Sequence, residues 1–126
     1  MKSIIYTKKA PEPIGPYSQA VQTGNMLFIS GQIPVIPETG ELVSGTVADE
    51  AMQVMRNLEA LLLKAELGFQ HVVKTTIFLS DMKYFAEVNQ VYGSFFTSDF
   101  PARETVAVLG LPKNVNVEIS MIAVKA

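Results

Sequence analysis

The stretch from Thr46 to Gly68, TVADEAMQVMRNLEALLLKAELG, predicts the element around which the rest of the fold is arranged. Thr46 and Asp49 have the spacing of a capping box, in which the threonine oxygen accepts a hydrogen bond from an N–H group at the start of a helix. Apolar residues follow at helical spacing: Val47, Ala51, Val54, Met55, Leu58, Leu61, Leu62 and Ala65. We therefore expect an amphipathic helix of about five turns, with Gly68 as its left-handed C-terminal cap.

The segments on either side of this helix have the composition of β-strands. Upstream, the runs Ala20–Gln22 and Met26–Ile33 enclose Thr23-Gly24-Asn25, where glycine and asparagine supply the positive φ angles of a tight hairpin. The next segment, Pro34–Gly40, contains two prolines and is predicted to be a loop. Downstream, Val72–Leu79 is rich in β-branched residues and is predicted to be a strand.

A second helix and two more strands are predicted toward the end of the sequence. Ser80-Asp81 has the composition of a cap for a helix whose apolar side carries Phe85, Val88, Tyr92 and Phe96. The segment Arg103–Leu109 is predicted to be a strand, and Pro112–Asn114 a turn. The last strand alternates, with Val115, Val117, Ile119 and Met121 on one side and Asn116, Glu118 and Ser120 on the other.

The order strand, strand, helix, strand, helix, strand, strand predicts an α+β fold, a single domain over residues 1–126. Both helices are expected on one face of the sheet. The other face must then be solvated or covered. Ile122 and Val124 continue the Glu118 side of the last strand, which favours a covered face such as a subunit interface.

Composition excludes several classes of site. The 126 residues contain no cysteine and one histidine, so disulfides, thiolate nucleophiles and Cys-based metal sites are impossible, and we predict no metal site. Ten basic residues stand against 12 acidic ones without any run of like charges, which argues against nucleic-acid and membrane partners. Neither a signal-peptide core nor a membrane-length apolar stretch is present, and we expect a cytoplasmic protein.

Two charged residues stand out because they interrupt apolar strands. Arg103 shares a strand face with Thr105, Ala107 and Leu109, and its guanidinium has the shape to bind a carboxylate through two hydrogen bonds. Glu118 lies between Val117 and Ile119 and could hold or activate a water molecule. The alternatives are a surface ion pair for the arginine and a solvated position for the glutamate, and spacing alone favours these alternatives.

Two further residues are weaker candidates. Asn89 shares the helical stripe of Phe85 and Tyr92, so we expect it to point inward or to the edge of a cleft. His71 lies between a helix end and a strand and is expected to be a surface or capping residue. The turn-like segments Gly15–Tyr17 and Ser30–Gln32 could present backbone N–H groups to an anion, but neither has the spacing of a phosphate loop.

Segments spread over essentially the whole chain, taken in order, resemble the RidA (YjgF-type reactive-intermediate deaminase) family. They comprise an N-terminal segment, a second-strand motif, a strand with the helix after it, and a C-terminal signature region. These are Ala10-Pro11 with Ile14–Ala20, Ile29–Pro34, Thr75–Leu79 with Asp81-Met82 and Phe85–Tyr92, Phe100–Thr105, and Leu111-Pro112 with Val117–Ile119.

The resemblance implies a chorismate-mutase-like α+β fold with a mixed sheet, assembled as a homotrimer with active sites between subunits. It implies hydrolysis of 2-aminoacrylate, 2-iminopropanoate and 2-iminobutanoate to 2-oxo acids and ammonia, without a cofactor. Arg103 would bind the substrate carboxylate and Glu118 a water molecule, and further pocket residues would be Tyr17, Ser30, Gly31 and Asn89. Thr105 stands where many members carry cysteine, and we expect it to contribute through its backbone carbonyl. Glu104 beside it could shift substrate preference.

Other functions remain open at this stage. A trimer that binds small carboxylates such as 2-oxo acids without turning them over would use the same arginine. A ribonuclease or translation inhibitor, functions attached to relatives of the family, is disfavoured by the acidic balance. A chorismate mutase is suggested only by analogy of fold, which does not determine function.

Overall fold

The computed structural model describes residues 1–126 and contains two helices and six strands. In chain order the elements are β1 (Lys2–Ile5), β2 (Ala20–Thr23), β3 (Met26–Gln32), α1 (Val47–Lys64), β4 (Val72–Leu79), α2 (Phe85–Gly93), β5 (Ala102–Ala107) and β6 (Val117–Val124). Single turns of 3₁₀-helix lie at Phe69–His71, Met82–Tyr84 and Pro112–Asn114. Neither α-helix combines the length and the hydropathy that crossing a membrane requires.

Helix α1 begins as predicted and buries the predicted face. The Thr46 hydroxyl accepts from the Asp49 N–H at 3.2 Å, and the Asp49 carboxylate accepts from the Thr46 N–H at 3.0 Å, so both halves of the capping box are formed. All eight of the predicted apolar residues are buried. This one face therefore supplies most of the helical side of the core.

The end of α1 corrects the prediction for Gly68. The left-handed residue is Glu66, with φ of 63°, whereas Gly68 is extended at φ of −136°. The Glu66 and Leu67 N–H groups donate to the Leu63 and Leu62 carbonyls at 2.9 and 2.8 Å, the pattern of a Schellman motif. Leu67 is buried, so its packing against the core ends the helix before the glycine is reached.

The six strands form one mixed sheet in the order β1-β2-β3-β6-β4-β5. Only β4 and β5 are parallel, and every other neighbouring pair is antiparallel. Side chains of both helices and of the central strands form a single hydrophobic cluster. The predicted α+β fold, with both helices on one face, is confirmed.

Three strand assignments differ from the prediction. Strand β1 was not predicted, because its four residues are largely exposed and show no buried face. Strand β5 ends at Ala107, so Leu109 lies beyond it and is fully exposed rather than on the arginine's face. Strand β6 begins at Val117, since the turn at Pro112–Asn114 delays it, and continues to Val124.

The two faces of the sheet differ in what covers them. On β6, Val117, Ile119, Met121 and Ala123 are buried beneath the helices. Glu118, Ser120, Ile122 and Val124 are half-buried on the opposite face, hereafter the open face, so the predicted position of Ile122 and Val124 is confirmed. Strand register places Phe28, Ile4 and Val106 on the open face too, with 40%, 55% and 44% exposure. Their role as a subunit interface stays a prediction.

Buried polar groups fix α1 on the sheet. The Glu50 carboxylate accepts from the Asn116 backbone N–H at 2.9 Å and from its side-chain amide at 2.7 Å. The Asn116 amide oxygen in turn accepts from the Ser80 hydroxyl at 2.7 Å. Because buried polar groups are costly unless bonded, this network determines how the helix sits on β4 and β6.

Candidate active site

Four of the predicted site residues line one cavity of about 300 Å³ at the open face of the sheet. They are Tyr17, Ser30, Gly31 and Glu118, and the cavity is completed by Ile14, Ile33 and Pro112. They come from the N-terminal segment, β3, the turn before β6 and β6 itself. We refer to this space as the reaction cavity.

Strand β3 has a bulge at the base of the reaction cavity. Ile29 pairs with Met121 and Gln32 with Ile119, which leaves Ser30 and Gly31 opposite a single residue of β6. Bulges of this kind redirect side chains beside functional sites. The strand predicted at Met26–Ile33 is confirmed as far as Gln32, whereas the interpretation of Ser30–Gln32 as turn-like was wrong, because these residues belong to an irregular strand.

Ser30 attaches the N-terminal segment to this bulge. Its backbone N–H donates to the Gln19 carbonyl at 3.0 Å and its hydroxyl to the Ser18 carbonyl at 2.6 Å. The neighbouring Tyr17 is half-exposed, and its hydroxyl oxygen accepts from the Ile14 N–H at 3.2 Å. The segment is thus held over the cavity by bonds from the bulge.

Gln19 is a structural residue that sequence reasoning did not identify. Its side chain is 2% exposed; the amide oxygen accepts from the Thr7 N–H at 2.8 Å, and the amide nitrogen donates to the carbonyls of Thr7, Ala10 and Pro11 at 2.9–3.2 Å. These bonds fold residues 7–11 against the start of β2. No local pattern marks a glutamine for this role, because its partners are defined only by the tertiary fold.

Glu118 lies directly on Gly31. A Cβ atom at position 31 would stand 2.8 Å from the Glu118 Cδ and even closer to one carboxylate oxygen, so only glycine leaves room for the carboxylate. No donor in the chain bonds that carboxylate, and burial raises the pKa of Glu118. A desolvated carboxylate of this kind is a better proton acceptor than an exposed one.

Arg103 lies on the other face of the sheet, at its edge. Its guanidinium carbon stands 5.7 Å from the ring centre of Phe85 and 5.1 Å from that of Tyr92, within the range of cation–π attraction. The chain's one ion pair joins Lys74 to Glu104 at 3.2 Å, so no carboxylate neutralises Arg103. The alternative of a surface ion pair for this arginine was therefore wrong.

Tyr92 is a second residue that gains a role from the structure. Its hydroxyl donates to Thr75 at 2.9 Å, and Thr75 pairs with Arg103 across the β4–β5 ladder. Burial raises the pKa of the Tyr92 hydroxyl, while the Thr75 bond and the nearby guanidinium act in the opposite direction. The ring is therefore a neutral, fixed support for the guanidinium.

The remaining predicted residues lie on the Arg103 side. Thr105 follows two positions later on β5, and its hydroxyl oxygen is buried without a hydrogen-bond partner. Asn89 is exposed on α2, so it does not point into the core. Its side-chain amide has no hydrogen-bond partner in the chain. His71 caps a 3₁₀ turn as expected, its Nδ1 accepting from the Gly68 N–H at 3.0 Å.

The seven predicted site residues thus form two groups in one chain. Arg103 pairs with Thr75, which is fully buried on the face that the helices cover. Glu118 pairs with Phe78 on the open face. Strand β5 therefore supplies no positively charged side chain to the reaction cavity of the same chain. No group of three or more His, Asp or Glu side chains has the arrangement of a metal site.

A family model described as Endoribonuclease L-PSP, which represents the YjgF/RidA family, matches residues 7–125. The chain belongs to the RidA family. A 2-iminobutanoate/2-iminopropanoate deaminase of Homo sapiens is 46% identical, covering 99% of this chain and 91% of the human protein. A RutC family protein of Pyrococcus horikoshii is 50% identical, covering 99% of each chain.

A solved RidA-family structure has the same fold. It is that of E. coli TdcF with bound serine, which is 43% identical to this chain and superimposes with a TM-score of 0.94 over 98% of this chain and 99% of TdcF. Among relatives of comparable similarity, then, some are named as imine deaminases and others only as family members. These matches establish family membership.

Proposed function

We propose that this RidA-family protein hydrolyses 2-imino carboxylates and their enamine tautomers, such as 2-iminopropanoate and 2-iminobutanoate, to 2-oxo acids and ammonia. The observation that carries the proposal is Arg103, a guanidinium beside two aromatic rings with no carboxylate partner in its chain. Such a group is ready to bind an incoming carboxylate through two parallel hydrogen bonds. The deaminase name of the human relative supports the same reaction class.

The separation of Arg103 from Glu118 supports a site shared between copies of the chain. We propose a homotrimer in which Arg103 of one copy closes the reaction cavity of the next. The half-exposed apolar side chains of the open face, among them Phe28 and Val106, would be buried in that assembly. The substrate would then bind between an arginine from one subunit and a glutamate from the other.

The reaction needs only water as a second reactant. In this mechanism Arg103 fixes the carboxylate, and the imine carbon lies above Gly31. Glu118 takes a proton from a water molecule, which attacks the imine carbon to give a carbinolamine. That proton passes to the imine nitrogen as the carbinolamine forms. Glu118 then takes the proton of the new hydroxyl group and returns it to nitrogen, the C=O bond forms as the C–N bond breaks, and ammonia leaves. Because free imines already hydrolyse in water, positioning of water and carbon supplies most of the acceleration.

The test follows 2-oxo acid release from imine generated by a PLP-dependent threonine dehydratase, with semicarbazide as a competing trap. Wild type is compared with Arg103→Ala and Arg103→Lys. Arg56→Ala is the matched control, since Arg56 is exposed on α1 and lines none of the cavities described above. Loss of a fixed guanidinium–carboxylate contact is expected to lower kcat/KM by about 10²–10³-fold.

Lysine at position 103 should restore little of this activity, because a point charge lacks the planar fork. If Arg103→Ala keeps near-normal activity while remaining folded, the assignment of the arginine is wrong. If folded wild type does not accelerate 2-oxo acid release at all, the deaminase proposal itself fails.

A second function, binding of small carboxylates without turnover, is favoured by one observation. The TdcF relative has been solved with bound serine, an amino-acid carboxylate. The same Arg103 would hold a 2-oxo acid in a regulatory module. Saturable binding of 2-oxobutanoate by wild type, lost in Arg103→Ala and unaccompanied by imine turnover, would support this alternative over the deaminase.

A further inference from the structure

A second cavity of about 180 Å³ adjoins the reaction cavity. The two cavities share Ile14, Tyr17, Gly31 and Ile33 as lining residues. A ligand whose reacting carbon lies above Gly31 therefore stands at the entrance to both. We call the second space the annex cavity.

The walls of the annex cavity expose mainly apolar atoms, although Glu12, Gln19, Gln32 and Lys113 also line it. Beyond the shared residues they include Val35, Pro37 and Pro11. Val35 is buried, with 7% exposure, and Pro37 is half-buried. A surface of this kind binds apolar groups by removing them from water.

The amide and carboxylate groups that line the annex cavity are already engaged. Gln19 uses its whole side-chain amide to hold the N-terminal segment, and the Gln32 amide donates to the Ser30 carbonyl at 3.1 Å. The Glu12 carboxylate accepts from the Tyr6 hydroxyl. Lys113 alone among the charged lining residues has no partner. A polar ligand therefore finds few free groups inside, whereas an apolar one needs none.

The annex cavity is held open by the fold. The Asn57 side-chain amide, 1% exposed on α1, donates to the carbonyls of Ile33 and Val35 at 3.2 and 3.0 Å. The Val43 N–H donates to the Pro34 carbonyl at 2.9 Å, which closes the following loop. Because these bonds fix the wall, a ligand does not have to order it on binding.

We propose that the annex cavity is the subsite for the substrate's side chain, and that the protein prefers 2-imino acids with apolar side chains of three or four carbons. The inference rests on the reaction site proposed above and adds the substrate class. A dry cavity of about 150 Å³ accommodates benzene, so 180 Å³ suffices for a propyl, butyl or isobutyl group. The side chain would point away from Glu118, past Tyr17, toward Val35.

The test measures binding of a homologous series of 2-oxo acids, from 2-oxopropanoate through 2-oxobutanoate and 2-oxopentanoate to 2-oxohexanoate, by titration calorimetry on the assembled protein. Each added methylene is expected to lower Kd by about fourfold, which corresponds to about 0.8 kcal/mol for a buried CH₂ group. If the Kd of wild type stays constant or rises along the series, the proposal is wrong, and no variant is needed to show it.

Variants locate the effect in the annex cavity. Val35→Phe fills it and should flatten the dependence of Kd on chain length, whereas Leu63→Phe, a matched substitution at an exposed position of α1, should leave the dependence unchanged. Pro37→Phe blocks the same space from a half-buried position and serves if Val35→Phe does not fold. If a folded filling variant retains the full dependence, the side chain binds elsewhere.

Turnover of the corresponding imines, generated by an amino-acid oxidase with catalase present, is measured in parallel. Binding that depends on chain length, without turnover, would support the annex cavity as the side-chain subsite and contradict the proposed deaminase activity. Turnover with no dependence of either Kd or kcat/KM on chain length would retain the deaminase and reject the subsite. The two proposals can therefore fail separately.

Discussion

The contact between Gly31 and Glu118 makes Gly31→Ala the sharpest test of how the reaction cavity is built. Gly31 has no positive φ, so alanine strains the backbone little, and the cost comes from space alone. The new Cβ would lie 2.8 Å from Cδ and 3.1 Å from Cγ of Glu118. Because several atoms of the side chain are too close, a small rotation does not relieve the clash and the carboxylate must leave its position.

The expected cost follows from overpacking. The clashing atoms are the far end of a flexible, half-buried side chain beside a cavity, so moving them costs at most about 1 kcal/mol, which for a domain of this size lowers the midpoint of thermal unfolding by at most about 4 °C. Displacing the proposed base should also lower kcat far more than KM. Glu118→Ala removes the obstructing atoms, so Gly31→Ala should be nearly neutral for stability in that background.

The assay is a double-mutant cycle of wild type, Gly31→Ala, Glu118→Ala and the double variant, followed by calorimetric unfolding at one protein concentration. We expect a coupling free energy of about 0.5–1 kcal/mol between the two positions. Equal destabilisation by Gly31→Ala in both backgrounds would refute the argument, since the cost would then come from the backbone or another neighbour.

Three further perturbations test other parts of the molecule. Burial raises the pKa of Glu118, so the folded state holds its proton more tightly than the unfolded state, and stability is lost as the pH rises from about 4.5 through the raised pKa. Glu118→Gln should remove that loss, so the variant should be more stable than wild type near neutrality but not at pH 4. Urea titrations at both pH values test this. The same difference in stability between variant and wild type at both pH values would contradict the raised pKa. Glu50→Ala leaves the buried Asn116 N–H without its acceptor and should reduce the free energy of unfolding by about 2–4 kcal/mol, whereas an effect under 1 kcal/mol in denaturant titration would mean that water replaces the carboxylate. Thr46→Ala removes the α1 cap and should cost about 1 kcal/mol by the same measurement, with Thr97→Ala in the exposed segment after α2 as the neutral control.

Features encoded locally were predictable from the sequence. The capping box and the apolar spacing of α1 lie within one continuous segment, and the structure confirms both. The hairpin at Gly24 was likewise predictable, because a two-residue connection requires a positive φ at that position, and the angle is 57°. The positive φ also predicted for Asn25 was wrong. Alternation along β6 placed Glu118 opposite the core residues before any tertiary contact was known.

Features defined by distant partners were not predictable from the pattern of residues. The bulge at Ser30–Gly31 exists because β6 pairs with β3, and nothing in the local sequence distinguishes it from a turn. The amide of Gln19 bonds four groups in residues 7–11, and only the folded chain brings them together. The site residues themselves came from family resemblance, since spacing alone favoured surface positions for Arg103 and Glu118.

The strongest physical reason to assign the chemistry to Arg103 and Glu118 is that most other buried polar side chains in the chain are hydrogen-bonded. Glu50 receives two donors and the Asn57 amide two acceptors, so the fold pairs most of the polar side chains that it buries, the Thr105 hydroxyl excepted. Arg103 and Glu118 are exceptions of opposite charge, each partly desolvated and each without a partner in its own chain. Charged groups that lower stability in this way are typically retained where a functional site requires them. Because the two groups lie on opposite faces of one sheet, a single chain does not bring them to one ligand, whereas adjacent copies would. Concentration-dependent loss of activity on dilution, with the fold intact, would be the signature of a site built that way.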